Sequence, residues 1–81
     1  MIKVRVYVEH KKGIVDPQGK AIKLGLENLG FLDIANVLTG KTIDVDFKHD
    51  NTQKALEDTK NMCEKMLSNP NMENYRIEKI N

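Results

Sequence analysis

The N-terminal segment Ile2–Glu9 alternates between two kinds of side chain, and this pattern constrains the fold more than any other in the chain. Branched aliphatic residues at every second position are separated by polar residues and one tyrosine, in the order IKVRVYVE. A period of two places all the branched side chains on one side of an extended strand. The segment therefore predicts a first strand with one buried face and one open face.

Helical spacing of apolar residues appears twice in the remainder of the chain. A first helix is predicted from about Pro17 to Leu29, capped by Gly30, with a buried stripe of Ala21, Ile22, Gly25, Leu26 and Leu29. A second helix is predicted up to Ser68-Asn69-Pro70, with a buried stripe of Ala55, Leu56, Thr59, Met62, Cys63, Met66 and Leu67. Its N-cap candidates are Asp50, which with Gln53 fits a capping box, Asn51 and Thr52.

Short strands are predicted near Ile34–Leu38, at Ile43–Phe47 and around Tyr75–Ile80, with a hairpin turn at Thr39–Lys41 between the first two. The resulting order, βαββαβ over the single domain 1–81, is that of a ferredoxin-like fold in the α+β class. We therefore expect a two-layer sandwich with a four-stranded antiparallel sheet and two helices on one face. The other face is expected to be open. Because this architecture hosts many unrelated functions, it does not by itself indicate one.

Charge and cysteine content exclude several classes of partner. Thirteen basic and twelve acidic residues leave a net charge of +1, which lacks the concentrated basic surface that nucleic acids or anionic membranes require. The single cysteine allows no internal disulfide, and no apolar run approaches the roughly 20 residues of a membrane span. These features predict a cytoplasmic protein that binds neither nucleic acid nor membrane.

The residue types needed for catalysis are present only in isolation. Cys63 falls within the second helical stripe, which favours a buried core thiol over a nucleophile. His10 and His49 each stand beside a loop without further ligands at metal-binding spacing. Asp44 and Asp46 share one strand face, as expected of a solvated face or an interface. The sequence therefore predicts a binding or assembly module, with no catalytic residues, cofactor site or metal site in this chain.

The stretch VDPQGKAI at positions 15–22 contains one residue that a helix start does not explain. Asp16 is a good N-cap, and Pro17 suits the first helical position because its missing N–H costs nothing there. Gly19 destabilises a helix by roughly 1 kcal/mol relative to alanine. Either this glycine is merely tolerated, or its lack of a side chain lets another backbone or a ligand come close between Gln18 and Lys20.

In four segments the chain resembles the PurS family, the small subunit of phosphoribosylformylglycinamidine synthase. The segments are IKVRVYVE at 2–9, GIVDPQGKAI at 13–22, NMCEKMLSNP at 61–70 and ENYRIE at 73–78. From the first to the last they span positions 2–78, nearly the whole length of the chain. One departure is Leu38, which stands before Thr39-Gly40-Lys41 where the family usually carries an arginine.

The resemblance implies a subunit of a purine-biosynthetic ligase complex. In this family a glutaminase subunit releases ammonia, and a large synthetase subunit uses ATP and magnesium to convert formylglycinamide ribonucleotide (FGAR) to its amidine (FGAM). The small subunit binds no cofactor; it is thought to join the other two subunits and assist ammonia transfer. Family members are homodimers or larger, including homotetramers.

Two contact surfaces follow as hypotheses from the resemblance and from the unexplained glycine. Contacts with the larger subunits are expected at Asp16, Pro17, Gln18, Gly19, Lys20, Gly40 and Lys41. The homodimer contact is expected to include Arg5, Tyr7 and Leu24. The alternative from another functional class is a stand-alone amino-acid-sensing domain of the same fold, which titration with amino acids would detect.

Overall fold

The computed structural model describes residues 1–81, which form a three-stranded antiparallel sheet and two α-helices. The strands are β1 (Ile2–His10), β2 (Gly40–Phe47) and β3 (Glu73–Lys79), and the helices are α1 (Pro17–Asn28) and α2 (Thr52–Met62). The strand order is β2-β1-β3, so β1 is the central strand. The chain is therefore of the α+β class.

The alternation predicted for the first strand is confirmed. Its branched residues are all buried, namely Ile2, Val4, Val6 and Val8. Val6 pairs with Ile43 of β2 and with Ile77 of β3, both of which are half-buried. The buried apolar residues beyond β1 are Phe47, Ala55 and Cys63, so the core lies between the sheet and α2.

The N-terminus of α2 is capped by Asn51, one of the three predicted candidates. Its side-chain oxygen accepts a hydrogen bond from the Lys54 N–H at 3.0 Å, which satisfies an amide that has no partner within the helix. The prediction of Asp50 as the cap is wrong, because its carboxylate lies 2.9 Å from the N-terminal ammonium group instead. That ion pair lowers the pKa of Asp50.

The end of the second helix is a π-helical turn, Cys63–Leu67, which shifts the buried face. The buried residues of this helix lie four positions apart from Ala55 to Thr59 and Cys63. The next buried residue, Ser68, lies five positions further on. The Ser68 N–H donates to the Cys63 carbonyl at 3.1 Å, the wide bond of a π turn. Met66 is therefore 81% exposed, and its prediction as a core residue is wrong.

The bounds and caps predicted for α1 are confirmed, but its predicted packing on the sheet is wrong. Asp16 is its N-cap, and Gly30 adopts a φ of +100° just beyond its C-terminus. The Phe31 N–H then donates to the Leu26 carbonyl at 3.1 Å. No apolar side chain of α1 is buried, and Gly19 is its only buried residue.

The fourth strand predicted near Ile34–Leu38 does not form, and neither does the hairpin turn at Thr39–Lys41. Residues 31–39 lack the alternation of a strand, and their C-terminal end is held against the start of α1. We call residues 17–38, which leave the sheet and return to it, the arm. With the arm, the chain measures 49 × 26 × 14 Å and has a radius of gyration of 16.2 Å. A compact chain of this length would have a radius of gyration of about 12 Å.

Neither helix is long and apolar enough to cross a membrane.

Candidate interaction site

The base of the arm is held together by the carboxylate of Asp16. One oxygen accepts the Gly19 N–H at 2.9 Å, as expected of an N-cap. The other accepts the Thr39 N–H at 2.6 Å and the Thr39 hydroxyl at 2.8 Å. Asp16 thus joins the beginning of α1 to the residue just before β2. We call this set of hydrogen bonds the clamp.

The clamp keeps the carboxylate of Asp16 ionised although the residue is buried. Hydrogen bonds from the backbone N–H of Gly19 and then of Thr39 lower the pKa of Asp16 to about 2. These donors replace the water that burial removes. His10 Nε2 lies 4.0 Å from the carboxylate, and His10 Nδ1 is buried without a hydrogen-bond partner.

Both glycines of the predicted partner surface are required within the chain itself. A Cβ at Gly19 would lie far inside van der Waals contact with the Val37 carbonyl oxygen and 2.9 Å from an Asp16 carboxylate oxygen. A Cβ at Gly40 would lie 2.6 Å from the Val8 carbonyl oxygen. Of the two explanations for Gly19, the structure supports the close approach of another backbone, and that backbone is the return segment of the arm.

Five of the predicted contact residues remain accessible at the base of the arm, namely Pro17, Gln18, Lys20, Gly40 and Lys41. Two neighbouring clefts there share His10 and Leu38 in their linings. The larger, of about 520 Å³, also contains Lys41, and the smaller, of about 370 Å³, contains Lys20. The structure thus brings the two predicted lysines to adjoining clefts at the same end of the sheet.

The open face of the sheet carries a network of charged groups that are satisfied within the chain. Arg5 donates two hydrogen bonds to the Asp44 carboxylate, at 2.8 and 3.1 Å. These bonds raise the pKa of Arg5 and lower that of Asp44. The Tyr7 hydroxyl donates to Glu78 at 3.2 Å, and the Arg76 guanidinium lies 4.1 Å from the centre of the Tyr7 ring.

The residues predicted for the homodimer contact are therefore divided between two surfaces. Arg5 and Tyr7 lie together on the open face of the sheet, whereas Leu24 lies on the arm, 61% exposed. The polar pair already has partners, and only the leucine presents uncovered apolar surface.

The thiol of Cys63 is buried in the core, and burial followed by the charge of Glu64 raises its pKa. This environment suits a packing residue and not a thiolate nucleophile. The structure brings no three His, Cys, Asp or Glu side chains together in a way that could hold a metal ion.

Two features of the surface are not predictable from the sequence. The sequence predicts Thr39 only as part of a turn, because nothing in it links this residue to a carboxylate 23 residues earlier. The second feature is an apolar groove between β2 and α2, lined by Val45, Met62, Met66 and Leu67 and flanked by Asp58, Asn61 and Lys65. Its volume is about 490 Å³, and we call it the Met66 groove. The π turn that exposes Met66 has no signal in the sequence.

Comparison with known proteins identifies one family over almost the whole chain. Residues 3–81 match the family model PurS, described as phosphoribosylformylglycinamidine (FGAM) synthase. The phosphoribosylformylglycinamidine synthase subunit PurS of Methanocaldococcus jannaschii is 38% identical over 82 residues, with 99% of each chain covered. The subunit of the same name from Bacillus subtilis is 38% identical over 79 residues, covering 96% of this chain and 92% of the relative.

Solved structures of such proteins have the same shape, including the arm. The crystal structure of Methanocaldococcus jannaschii PurS matches with a TM-score of 0.86 at 37% identity, covering 98% of this chain and 95% of that one. A chain of the structure named PurLQS from Thermotoga maritima matches with a TM-score of 0.85 at 29% identity, covering 98% and 96%. Matches that span 98% of the chain include residues 17–38.

Proposed function

The chain belongs to the PurS family of phosphoribosylformylglycinamidine synthase, and we propose that it couples the glutaminase and synthetase subunits of that purine-biosynthetic ligase. The observation that carries this proposal is the match to a chain of the Thermotoga maritima complex named PurLQS. The match covers 98% of this chain, so it includes both helices and all three strands. The activity belongs to the complex, in which this chain is a non-catalytic part.

The chemistry of the reaction gives such a subunit a physical purpose. Ammonia released from glutamine would be protonated and diluted if it entered bulk water. A synthetase therefore gains by receiving ammonia through an enclosed path from the glutaminase. A small subunit that binds both larger subunits stabilises the assembly in which that path exists. ATP and magnesium are bound by the synthetase and no cofactor by this chain, which acts in the cytoplasm as a homodimer or homotetramer.

Reconstitution with the two larger subunits tests this function. We expect the glutamine-dependent rate of FGAM formation to require this chain, whereas the rate with added ammonium chloride is largely independent of it. The reason is that free ammonia bypasses the coupling of the two sites. Equal glutamine-dependent rates with and without the chain, together with no ternary complex on a sizing column, would refute the proposal. Amino-acid binding by the isolated chain would then support the sensor alternative.

The exposed lysines at the base of the arm are proposed to contact a larger subunit. Replacing Lys20 or Lys41 by glutamate is expected to raise the concentration of this chain needed for half-maximal glutamine-dependent activity by about 10-fold. The physical reason is that a lost charge pair and a new repulsion at an interface together cost on the order of 1–2 kcal/mol.

A matched control is available at the opposite end of the sheet. Lys79 is an exposed lysine at the end of β3, where it pairs with Val4, whereas the arm begins beyond His10. Lys79→Glu makes the same charge change and should leave the half-maximal concentration unchanged. An equal effect of all three substitutions would indicate a response to net charge, and the base of the arm would lose its assigned role.

A further inference from the structure

The smaller of the two clefts at the base of the arm is rich in lysine. Its volume is about 370 Å³, and its lining includes Lys11 and Lys12 from the connection between β1 and α1. Lys20 from the first turn of α1 and Asn36 from the return segment of the arm also line it. We call it the lysine cleft. A cleft of this volume is large enough to hold a small molecule.

The positive charge of the lysine cleft is not neutralised within the chain. None of the ion pairs in the chain includes one of its three lysines. The one carboxylate in the lining, that of Asp16, is buried and already accepts hydrogen bonds from Gly19 and Thr39. The lining therefore carries three positive charges and one negative charge, a net charge of +2 with His10 neutral. The whole chain has a net charge of only +1, so the cleft is a local concentration of charge.

The backbone that carries these lysines is held in place without a ligand. The Lys11 N–H donates to the Met72 carbonyl at 2.9 Å, and the Ile14 N–H donates to the Lys11 carbonyl at 3.1 Å. The second bond closes a turn in which Gly13 adopts a φ of +88°, a conformation that glycine reaches without a steric penalty. Lys20 lies in the turn of α1 that the clamp holds. Binding an anion in the cleft therefore requires little ordering of the backbone, which favours affinity.

The charge of the cleft matches that of a phosphate group. A phosphate monoester carries a charge of about −1.5 to −2 near neutral pH and has three strong acceptor oxygens. The ammonium group of lysine is a common phosphate ligand because it is a compact positive charge with three donors. The exposed amide of Asn36 can donate a further hydrogen bond. A phosphate group would thus neutralise the lining and find donors from both sides of the base of the arm.

We propose that the lysine cleft binds the phosphate group of a small anion, with Lys11, Lys12 and Lys20 as its cationic contacts. Inorganic phosphate and a nucleotide share this chemistry. The choice of these two sources rests on the proposed function, since ATP and formylglycinamide ribonucleotide both carry phosphate groups. The remainder of a nucleotide would extend into the adjoining cleft of about 520 Å³, which shares His10 and Leu38 with the lysine cleft.

Titration of the isolated chain, followed by the amide signals in NMR spectra, tests the proposal. Sodium phosphate is expected to shift the signals of Lys11, Lys12 and Gly13 in a saturable way, whereas sodium chloride at the same ionic strength should not. Lys12→Gln is expected to weaken phosphate binding by about 5-fold, and Lys11→Gln combined with it by at least about 10-fold. These two lysines are chosen because Lys20 is also proposed to contact a larger subunit.

The matched control is an exposed lysine at the opposite end of the sheet. Lys79→Gln makes the same charge change at the end of β3 and should leave phosphate binding unchanged. The absence of a saturable shift below about 20 mM phosphate would refute the proposal, since such binding would be too weak to be specific. Equal weakening by Lys12→Gln and Lys79→Gln would also refute it, because the response would then be to net charge.

Two further ligands identify what the cleft binds. Adenosine monophosphate that binds at least about 10-fold more tightly than inorganic phosphate, with additional shifts at His10 and Leu38, would support the site and identify a nucleotide as its ligand. Equal affinities would support a site for the phosphate group alone. Saturable shifts with a hexaglutamate peptide and none with phosphate would overturn the proposal and assign the cleft to an acidic segment of a protein.

These titrations contain neither of the larger subunits, so they separate this proposal from the proposed function. A chain that binds no phosphate but supports glutamine-dependent synthesis would refute the phosphate site and leave the proposed function intact. A chain that binds phosphate as described but has no effect on the reconstituted complex would do the reverse.

Discussion

Replacing Gly19 by alanine is expected to destabilise the chain by about 1–2 kcal/mol net, although alanine is the better helix former. The added methyl group would overlap the Val37 carbonyl oxygen and crowd the Asp16 carboxylate at 2.9 Å. Val37 lies on the return segment of the arm, and Asp16 holds that segment through Thr39. Relieving the overlap therefore requires the return segment to move away from the start of α1. Overpacking of this kind costs about 1–3 kcal/mol, and it exceeds the roughly 1 kcal/mol gained in helix propensity.

The control for this substitution lies six residues further along the same helix. A Cβ at Gly25 would have no heavy atom within 4 Å, so Gly25→Ala should stabilise the chain by about 0.5–1 kcal/mol. Urea unfolding followed by circular dichroism, at one protein concentration for all variants, measures both changes. If Gly19→Ala also stabilised the chain, the contact with Val37 would not limit the residue at this position.

Removing the Asp16 carboxylate is expected to have a comparable or larger effect. Asp16→Ala loses the N-cap, at about 0.5–2 kcal/mol, and leaves the Thr39 N–H without its acceptor, at about 1–3 kcal/mol. We therefore expect a destabilisation of about 2–4 kcal/mol in the same urea experiment. Asp16→Asn keeps one acceptor oxygen and should cost about half as much. A loss below about 0.5 kcal/mol for Asp16→Ala would contradict the clamp.

The stability contributed by Asp16 also depends on pH in a definite direction. Because the folded-state pKa of about 2 lies below the ordinary value of 3.8, the unfolded chain takes up this proton first as the pH falls. The contribution is therefore fully present above about pH 4 and is lost as the pH falls from 4 towards 2. Between these values the wild-type protein should lose more stability than Asp16→Asn. The lowered pKa values of Asp44 and Asp50 affect both proteins alike.

Local patterns in the sequence identified most of the secondary structure. The period-two alternation of residues 2–9 correctly predicted the buried side of β1. The strand is unbroken, so every second side chain faces the core. The chemistry of Asp16, Pro17 and Gly30 correctly located both ends of α1, because caps depend on residues within one turn.

The packing of those elements was not accessible from the same patterns. The stripe of α1 was expected to face the sheet of its own chain, but periodicity specifies that a helix has an apolar face without specifying what covers it. The π turn at Cys63–Leu67 moves Met66 to the surface through a single wide hydrogen bond, which helical spacing cannot anticipate. For the same reason the Met66 groove was not expected.

The contact residues were predicted in part. Gly19 was selected because it is costly in a helix, and the structure explains that cost by the return segment of the arm. Thr39 completes the clamp across 23 residues, a separation at which no local rule applies. The assignment of Lys20 and Lys41 to a contact with a larger subunit remains a prediction.

The clamp has a consequence for how this protein can diverge. β1 and β2 are antiparallel neighbours, so everything between them is topologically one long hairpin loop whose neck is closed by Asp16 and Thr39. The entropy of closing a loop grows only slowly with its length, by about 0.6 kcal/mol per doubling. Insertions, deletions or replacements in the outer part of the arm, between Gly19 and Val37, are therefore expected to leave the register of the sheet undisturbed. Natural selection, or a protein engineer, can vary that outer part without rebuilding the sheet that carries it.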